Sequence, residues 1–177
     1  MTVSNSNFLV LAPHGGGIEM GTSELAKAIA GNDLSLYIFA GIRKANKDLH
    51  ITSTRFDEPG CLDLLKRSQT ALVVHGCVGK NPVVYIGGRD INLKRRLFNI
   101  LAMNGYPVQI GTSRYTGMWL KNICNRTFSG KGVQLEITTG MRRQFFEKLQ
   151  SRKGRKIVNR HFEKFVSIIR IAIGTYV

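Results

Sequence analysis

The chain is short of acid. Against 26 Lys and Arg stand only 11 Asp and Glu in 177 residues, for a formal charge of +15. A field that positive draws polyanions, whether nucleic acid, an anionic membrane surface or an acidic polymer. Long apolar runs are also missing. No stretch approaches the roughly 18 uncharged apolar residues of a spanning helix, which excludes a transmembrane segment. The start, "MTVSNSNFLVLAP", has neither a basic n-region nor a long apolar core, so no secretory signal is expected and the chain is read as cytoplasmic when made. Cysteine is sparse: Cys61, Cys77 and Cys124 are odd in number and unpatterned in spacing. That excludes a disulfide framework and leaves three reduced thiols. Repeats, low-complexity blocks and Pro/Ser-rich linkers are absent, and a hydrophobic content of 43% suits a single domain over 1–177.

What is present is an alternation of short apolar runs and helix-like segments. "NFLVLAP" reads as a buried strand, and "TSELAKAIAG" as a helix with Thr22 or Ser23 as N-cap and Gly31 as C-cap. "LSLYIFAG", "LHITSTRF", "TALVVHG", "PVVYIGG", "YPVQIGT" and "KGVQLEITT" are strand candidates. "CLDLLKRS" and "INLKRRLFNILAMNG" are helices, and from Ile157 onward Phe162, Phe165, Val166 and Ile169 recur at helical spacing. The pattern predicts an α/β domain with a mixed, mostly parallel sheet flanked by helices. Sites in such sheets lie beyond the carboxyl ends of the strands. His14 and His75 stand at two of those ends, and Glu136 lies inside a third strand.

His14 and Glu19 bracket three glycines in "HGGGIE", and His75 comes from a distant strand. Two ligands on one short segment and a third from elsewhere is a common plan for catalytic zinc, with the fourth position left to water. Glycines let such a turn close tightly enough for both side chains to face one point. Taken alone, His14 could be a structural histidine and Glu19 a carboxylate at a helix start. A phosphate loop does not fit: neither G-x-x-x-x-G-K-[ST] nor G-x-G-x-x-G is present. Gln134, Glu136 and Thr138 share one face of their strand, which makes Glu136 a general-base candidate. Asn125 and Arg126 sit on a loop before it, and a guanidinium matches a carboxylate. Arg89, after a double glycine, is a weaker candidate of the same kind. Asp90 reads as a helix N-cap, Asp57 and Glu58 as turn carboxylates, and Cys77 as a packed thiol or an alternative ligand. His50 and His161 receive no role.

With these residues assembled, the chain resembles the poly-γ-glutamate hydrolase family of Bacillus phages and their chromosomal relatives. The matching stretches are "APHGGGIEMGTSELA", "TSTRFDEP", "VVHGC", "VYIGGRD" and "NICNRTFSGKGVQLEITTGMRR", in order from about residue 12 to 143. The resemblance implies a compact relative of the zinc carboxypeptidases. It makes His14, Glu19 and His75 the ligands of one zinc ion per chain and Glu136 the catalytic carboxylate. It also implies that Arg126 with Asn125, Arg89 or Arg142 hold substrate carboxylates. His14 and Glu19 stand five residues apart, wider than the His-x-x-Glu of carboxypeptidases and like the phage hydrolases. The implied partner is an anionic polymer, poly-γ-glutamate, acted on by a monomer without membrane association and reached after phage lysis. A smaller γ-glutamyl or acyl-amino-acid substrate is the alternative within the same chemistry.

A nucleic-acid-binding phage protein is the alternative from another class. The segment 142–160, with eight Lys/Arg and one Glu, favours it. The absence of a nucleic-acid motif, and the scarcity of exposed-looking aromatics interleaved with that charge, disfavour it. If the +15 charge serves an acidic polymer, added salt screens the attraction. The KM for poly-γ-glutamate therefore rises steadily between low and physiological ionic strength with little change in kcat. A salt-independent KM in steady-state assays would contradict this.

Overall fold

A computed structural model describes residues 1–174, with only the backbone described at Lys47. Six strands form one sheet: β1 (Phe8–Gly16), β2 (Ser35–Gly41), β3 (Thr70–Cys77), β4 (Val84–Gly88), β5 (Val108–Ile110) and β6 (Val133–Thr138), in the order β2-β1-β3-β6-β4-β5. β2, β1, β3 and β6 run parallel. β4 reverses direction against β6, and β5 follows β4. The helices are α1 (Thr22–Ala30), α2 (Pro59–Arg67), α3 (Ile91–Met103), α4 (Thr139–Arg143) and α5 (Arg160–Ile173). The sheet is therefore mixed and mostly parallel, as the sequence pattern predicts.

Both faces of the central strands are apolar, as expected of parallel strands covered on two sides. Phe8, Val10, Leu72, Val74, Leu135 and Ile137 face the layer of α1, α3 and α5. Within it Phe165, wholly buried, packs on Phe145 and Tyr106; burying a side chain of that size contributes about 1.5–3 kcal/mol. Leu9, Leu11, Ala71 and Val73 face the opposite way, onto α2 and the turn at Ile123–Asn125. That second layer is short. It leaves the carboxyl ends of β1, β3 and β6 open on one face, and the open part is the cleft.

Three sequence expectations change. "LHITSTRF" is not a strand: 50–58 runs as a loop, with the Ile51, Thr54 and Phe56 carbonyls taken by the side chains of His14 and Arg126 rather than by a neighbouring strand. The N-cap of α1 is Gly21, without a side-chain bond. Thr22 and Ser23 spend their hydroxyls on Glu19 O (2.8 Å) and Gly16 N (2.8 Å), pinning the glycine turn ahead of the helix. The last helix begins at Arg160, capped by Asn159, and Ile157 lies outside it, exposed. Asp90 and Glu58 are side-chain N-caps of α3 and α2.

All three cysteines are free and buried. Burial pushes the Cys61 and Cys124 thiols up to about 12 and that of Cys77 up to about 11. Since the thiolate is the reactive form, iodoacetamide in mildly alkaline buffer leaves all three unmodified in the folded chain and labels all three in urea. Mass spectrometry reads the count, and labelling of native Cys77 at the rate of a free thiol would contradict its placement.

Candidate metal centre and cleft

The site begins with the turn that follows β1. Pairing with β2 slips between Ala12 and Gly15, and the chain then folds back so that Glu19 N–H donates to His14 O at 2.8 Å. Gly16 takes φ +68°, and a Cβ there would lie 2.4 Å from Gly41 O, so no other residue fits. This turn brings the His14 and Glu19 side chains to one point, with Nδ1 to Oε1 at 2.9 Å. From β3, His75 brings its Nδ1 to 3.2 Å from His14 Nδ1 and 3.4 Å from Glu19 Oε2. The Gly76 N–H donates to the same Oε2 at 2.8 Å.

The outward hydrogen bonds of the two histidines set what can lie between them. His14 Nε2–H donates to the Ile51 carbonyl at 2.6 Å, so a neutral His14 leaves Nδ1 as a bare lone pair. That lone pair faces the Glu19 carboxylate and His75 Nδ1, which is a further acceptor when His75 carries its proton on Nε2 toward Ser53 Oγ. In that tautomer a proton or a metal ion lies among the three acceptors. Zn–N bonds of about 2.0–2.1 Å at tetrahedral angles put ligand atoms about 3.3 Å apart. The three separations here, 2.9, 3.2 and 3.4 Å, are of that size. Both outward nitrogens are occupied in the way metal-binding histidines require: His14 on Ile51 O and His75 on Ser53 Oγ at 3.0 Å. The donor set fits zinc.

The charges around this point are strongly coupled. Burial raises the Glu19 carboxyl, but contacts with His14, His50 and His75 outweigh it and hold the group well below the usual carboxylate range. Burial disfavours a charged His75, yet the carboxylates of Glu136 and Glu19 make its ring more basic than an ordinary histidine. Glu136 pairs with His75 in the β3–β6 register, so their side chains stand side by side on the cleft face. Burial raises its carboxyl, opposed in part by the His75 ring.

His50 is a residue that sequence reasoning passed over. Its ring stacks on His14 at 4.1 Å between centroids, and its Nε2 lies 3.3 Å from Glu19 Oε1. Its ligand atom, with those of His14 and Glu19, falls within a 4.8 Å group. The side chain is 44% exposed, whereas that of His75 is 1% exposed. No pattern marks His50, because it sits in a loop brought in by the fold.

The cleft holds about 480 Å³ above these groups. None of Arg126, Asn125, Arg89 and Arg142, the substrate candidates of the sequence, lines it. Arg126 donates to Phe56 O and Thr54 O. Asn125, buried, donates to Gly117 O and Trp119 O. Arg89 follows β4, whose reversed direction carries it to the amino end of β6, far along the sheet from Glu136. Arg142 is 5% exposed and donates to Ile137 O, Met20 O, Cys77 O and Thr139 Oγ1. It lies so close to Gly76 that a Cβ there would meet its Cζ at 2.6 Å, which explains the glycine after His75.

The fold thus presents an open α/β sheet with a metal-competent His/Glu cluster at the carboxyl ends of parallel strands. Comparison with known proteins agrees with that class. The sequence pattern of the family described as poly-gamma-glutamate hydrolase matches residues 1–168, and the chain belongs to that family. It is 37% identical to the SPbeta prophage-derived protein YoqZ of Bacillus subtilis strain 168, over 91% of this chain and 60% of YoqZ. YmaC and YndL of the same strain are 34% and 35% identical over 93% and 94% of this chain, covering 71% and 67% of theirs. Among solved structures, a bacteriophage poly-gamma-glutamate hydrolase superposes with a TM-score of 0.93 at 35% identity, over 98% of this chain and 86% of that one. A structure described as zinc-free apo YndL superposes with 0.95 at 32% identity, over 100% and 90%.

Arg142 joins Met20, Cys77 and Ile137, one residue from each of the three segments that carry Glu19, His75 and Glu136. Replacing it with methionine strands several buried carbonyls. Arg142→Met is therefore expected to lower unfolding free energy by about 3 kcal/mol or more. A urea midpoint within error of the parent would remove the clamp role.

Proposed function

We propose that this chain hydrolyses the γ-glutamyl amide bonds of poly-γ-glutamate with one zinc ion held by His14, Glu19 and His75, acting as a monomer. The observation that supports it best is the acceptor cluster of His14 Nδ1, His75 Nδ1 and the Glu19 carboxylate, spaced at 2.9–3.4 Å with both outer ring nitrogens already bonded. Membership of the family and the zinc-free description of a solved relative support the substrate and the metal. When bound, zinc acidifies a water and polarises the scissile carbonyl.

The chain's own residues do the rest. Ile51 O and Ser53 Oγ fix the two imidazole rings in orientation. Glu136 takes a proton from the attacking water at a carboxylate oxygen and returns it to the nitrogen as the C–N bond breaks. One carboxylate and one amine leave. Its raised proton affinity suits a base working nearer neutrality than an ordinary glutamate. The nucleic-acid reading has no motif behind it, and of the eight cations of 142–160 six are exposed while two are built into the scaffold. Arg155 is buried, with Nε on Glu24 Oε1 at 2.9 Å and a further bond to Gly16 O, and Arg142 is turned inward as well.

Elemental analysis of the purified chain should find about one zinc, lost in His75→Ala. Glu136→Gln should keep the metal and lower kcat for loss of polymer viscosity by about 10²–10⁴-fold. A metal-free chain under zinc-replete conditions, or full activity in Glu136→Gln, would overturn the reading.

A further inference from the structure

A polymer with a carboxylate on every residue must approach a centre that itself carries Glu19 and Glu136. Some cation has to meet it in the cleft. Arg142 is spent on backbone carbonyls behind Gly76, and Arg126 and Arg89 face elsewhere. Among the described residues one Lys or Arg lines the cleft, and it is Arg114. Its side chain is exposed, and no hydrogen bond or ion pair ties its guanidinium to the described residues.

The segment that follows Arg114 is tied to the sheet and to Asn125. Asn125, 2% exposed, donates to Gly117 O at 2.7 Å and Trp119 O at 2.9 Å. Gly88 N–H holds Thr116 O at 2.8 Å, and the Gln134 amide reaches Tyr115 O. Next to Arg114, Ser113 has φ 25°, the one non-glycine residue with positive φ among those described. Such a conformation costs about 1–3 kcal/mol and persists where surrounding structure holds it, often at ligand clamps. Beyond Arg114, the Tyr115 phenol lies beside Cys77 and within the field of Glu136, so the loop borders the reacting centre.

We infer that Arg114 is the substrate-binding cation of this cleft, pairing with the α-carboxylate of a γ-linked glutamyl residue adjoining the scissile bond. This rests on the hydrolase reading and adds its specificity determinant. A guanidinium offers a carboxylate two parallel donors, so the pair gives both attraction and orientation. Asn125 then acts as a positioning residue, holding the strap that presents Arg114 rather than touching substrate.

The test compares the parent, Arg114→Gln and Arg114→Lys on two γ-linked glutamyl oligomers, one with free α-carboxylates and one with α-carboxamides. The preference for the acid oligomer in kcat/KM should fall by about ten- to a hundredfold in Arg114→Gln. Arg114→Lys should fall between, keeping charge but losing the fork. Zinc content and thermal midpoint should not change. An unchanged preference, or an equal loss on both oligomers, would overturn the assignment. Calorimetric binding of both oligomers in a Glu136→Gln background separates it from the hydrolase reading. If the parent cleaves neither oligomer, selective loss of acid binding in Arg114→Gln still supports Arg114. Binding without discrimination, or none, overturns it.

Discussion

The structure turns on one arrangement: two imidazole nitrogens and a carboxylate converging on a single point inside the protein. Each backbone bond nearby removes an alternative. The Ile51 carbonyl takes the only proton of a neutral His14, and the Gly76 N–H holds one oxygen of Glu19 without neutralising it. Buried acceptors with nothing between them are costly. A cation at the centre relieves that cost, and the spacing suits a tetrahedral metal.

Much of the fold serves to hold those acceptors together. Glu19 is anchored through its own N–H to His14 O, and the glycine turn is pinned by Ser23 and Arg155. His75 and Glu136 are placed by strand register, which is among the stiffest coordinates a protein has. Arg142 closes the assembly from behind. The charge distribution follows: two buried arginines brace the scaffold, while the cations left in solvent give the surface a positive field.

The relation between sequence and structure is uneven in an instructive way. Strands β1, β3 and β6 are plain as apolar runs because burial on two faces requires them to be. His14, His75 and Glu136 stand out because polar groups at the ends of such runs are rare. "LHITSTRF" misleads, since its alternation looks like a strand while its carbonyls bond His14, Arg126 and the Ile123 N–H. The arginines mislead too. Arg142 and Arg126 look like ligands for a carboxylate, but a guanidinium binds a carbonyl as readily, and nothing local says which one it will meet.

The sequence by itself determined the class of fold, the glycine turn and the residues able to carry the chemistry, because hydrophobic periodicity and backbone permissiveness are local properties. Only the tertiary structure decided which charges are spent and which are free. It brought His50 against His14 from an unremarkable loop and reversed β4, so that Arg89 faces away from the cleft. It buried Arg142 and left Arg114 open to solvent. Those outcomes depend on where distant segments cross, and segments far apart in a chain leave no local mark of their meeting.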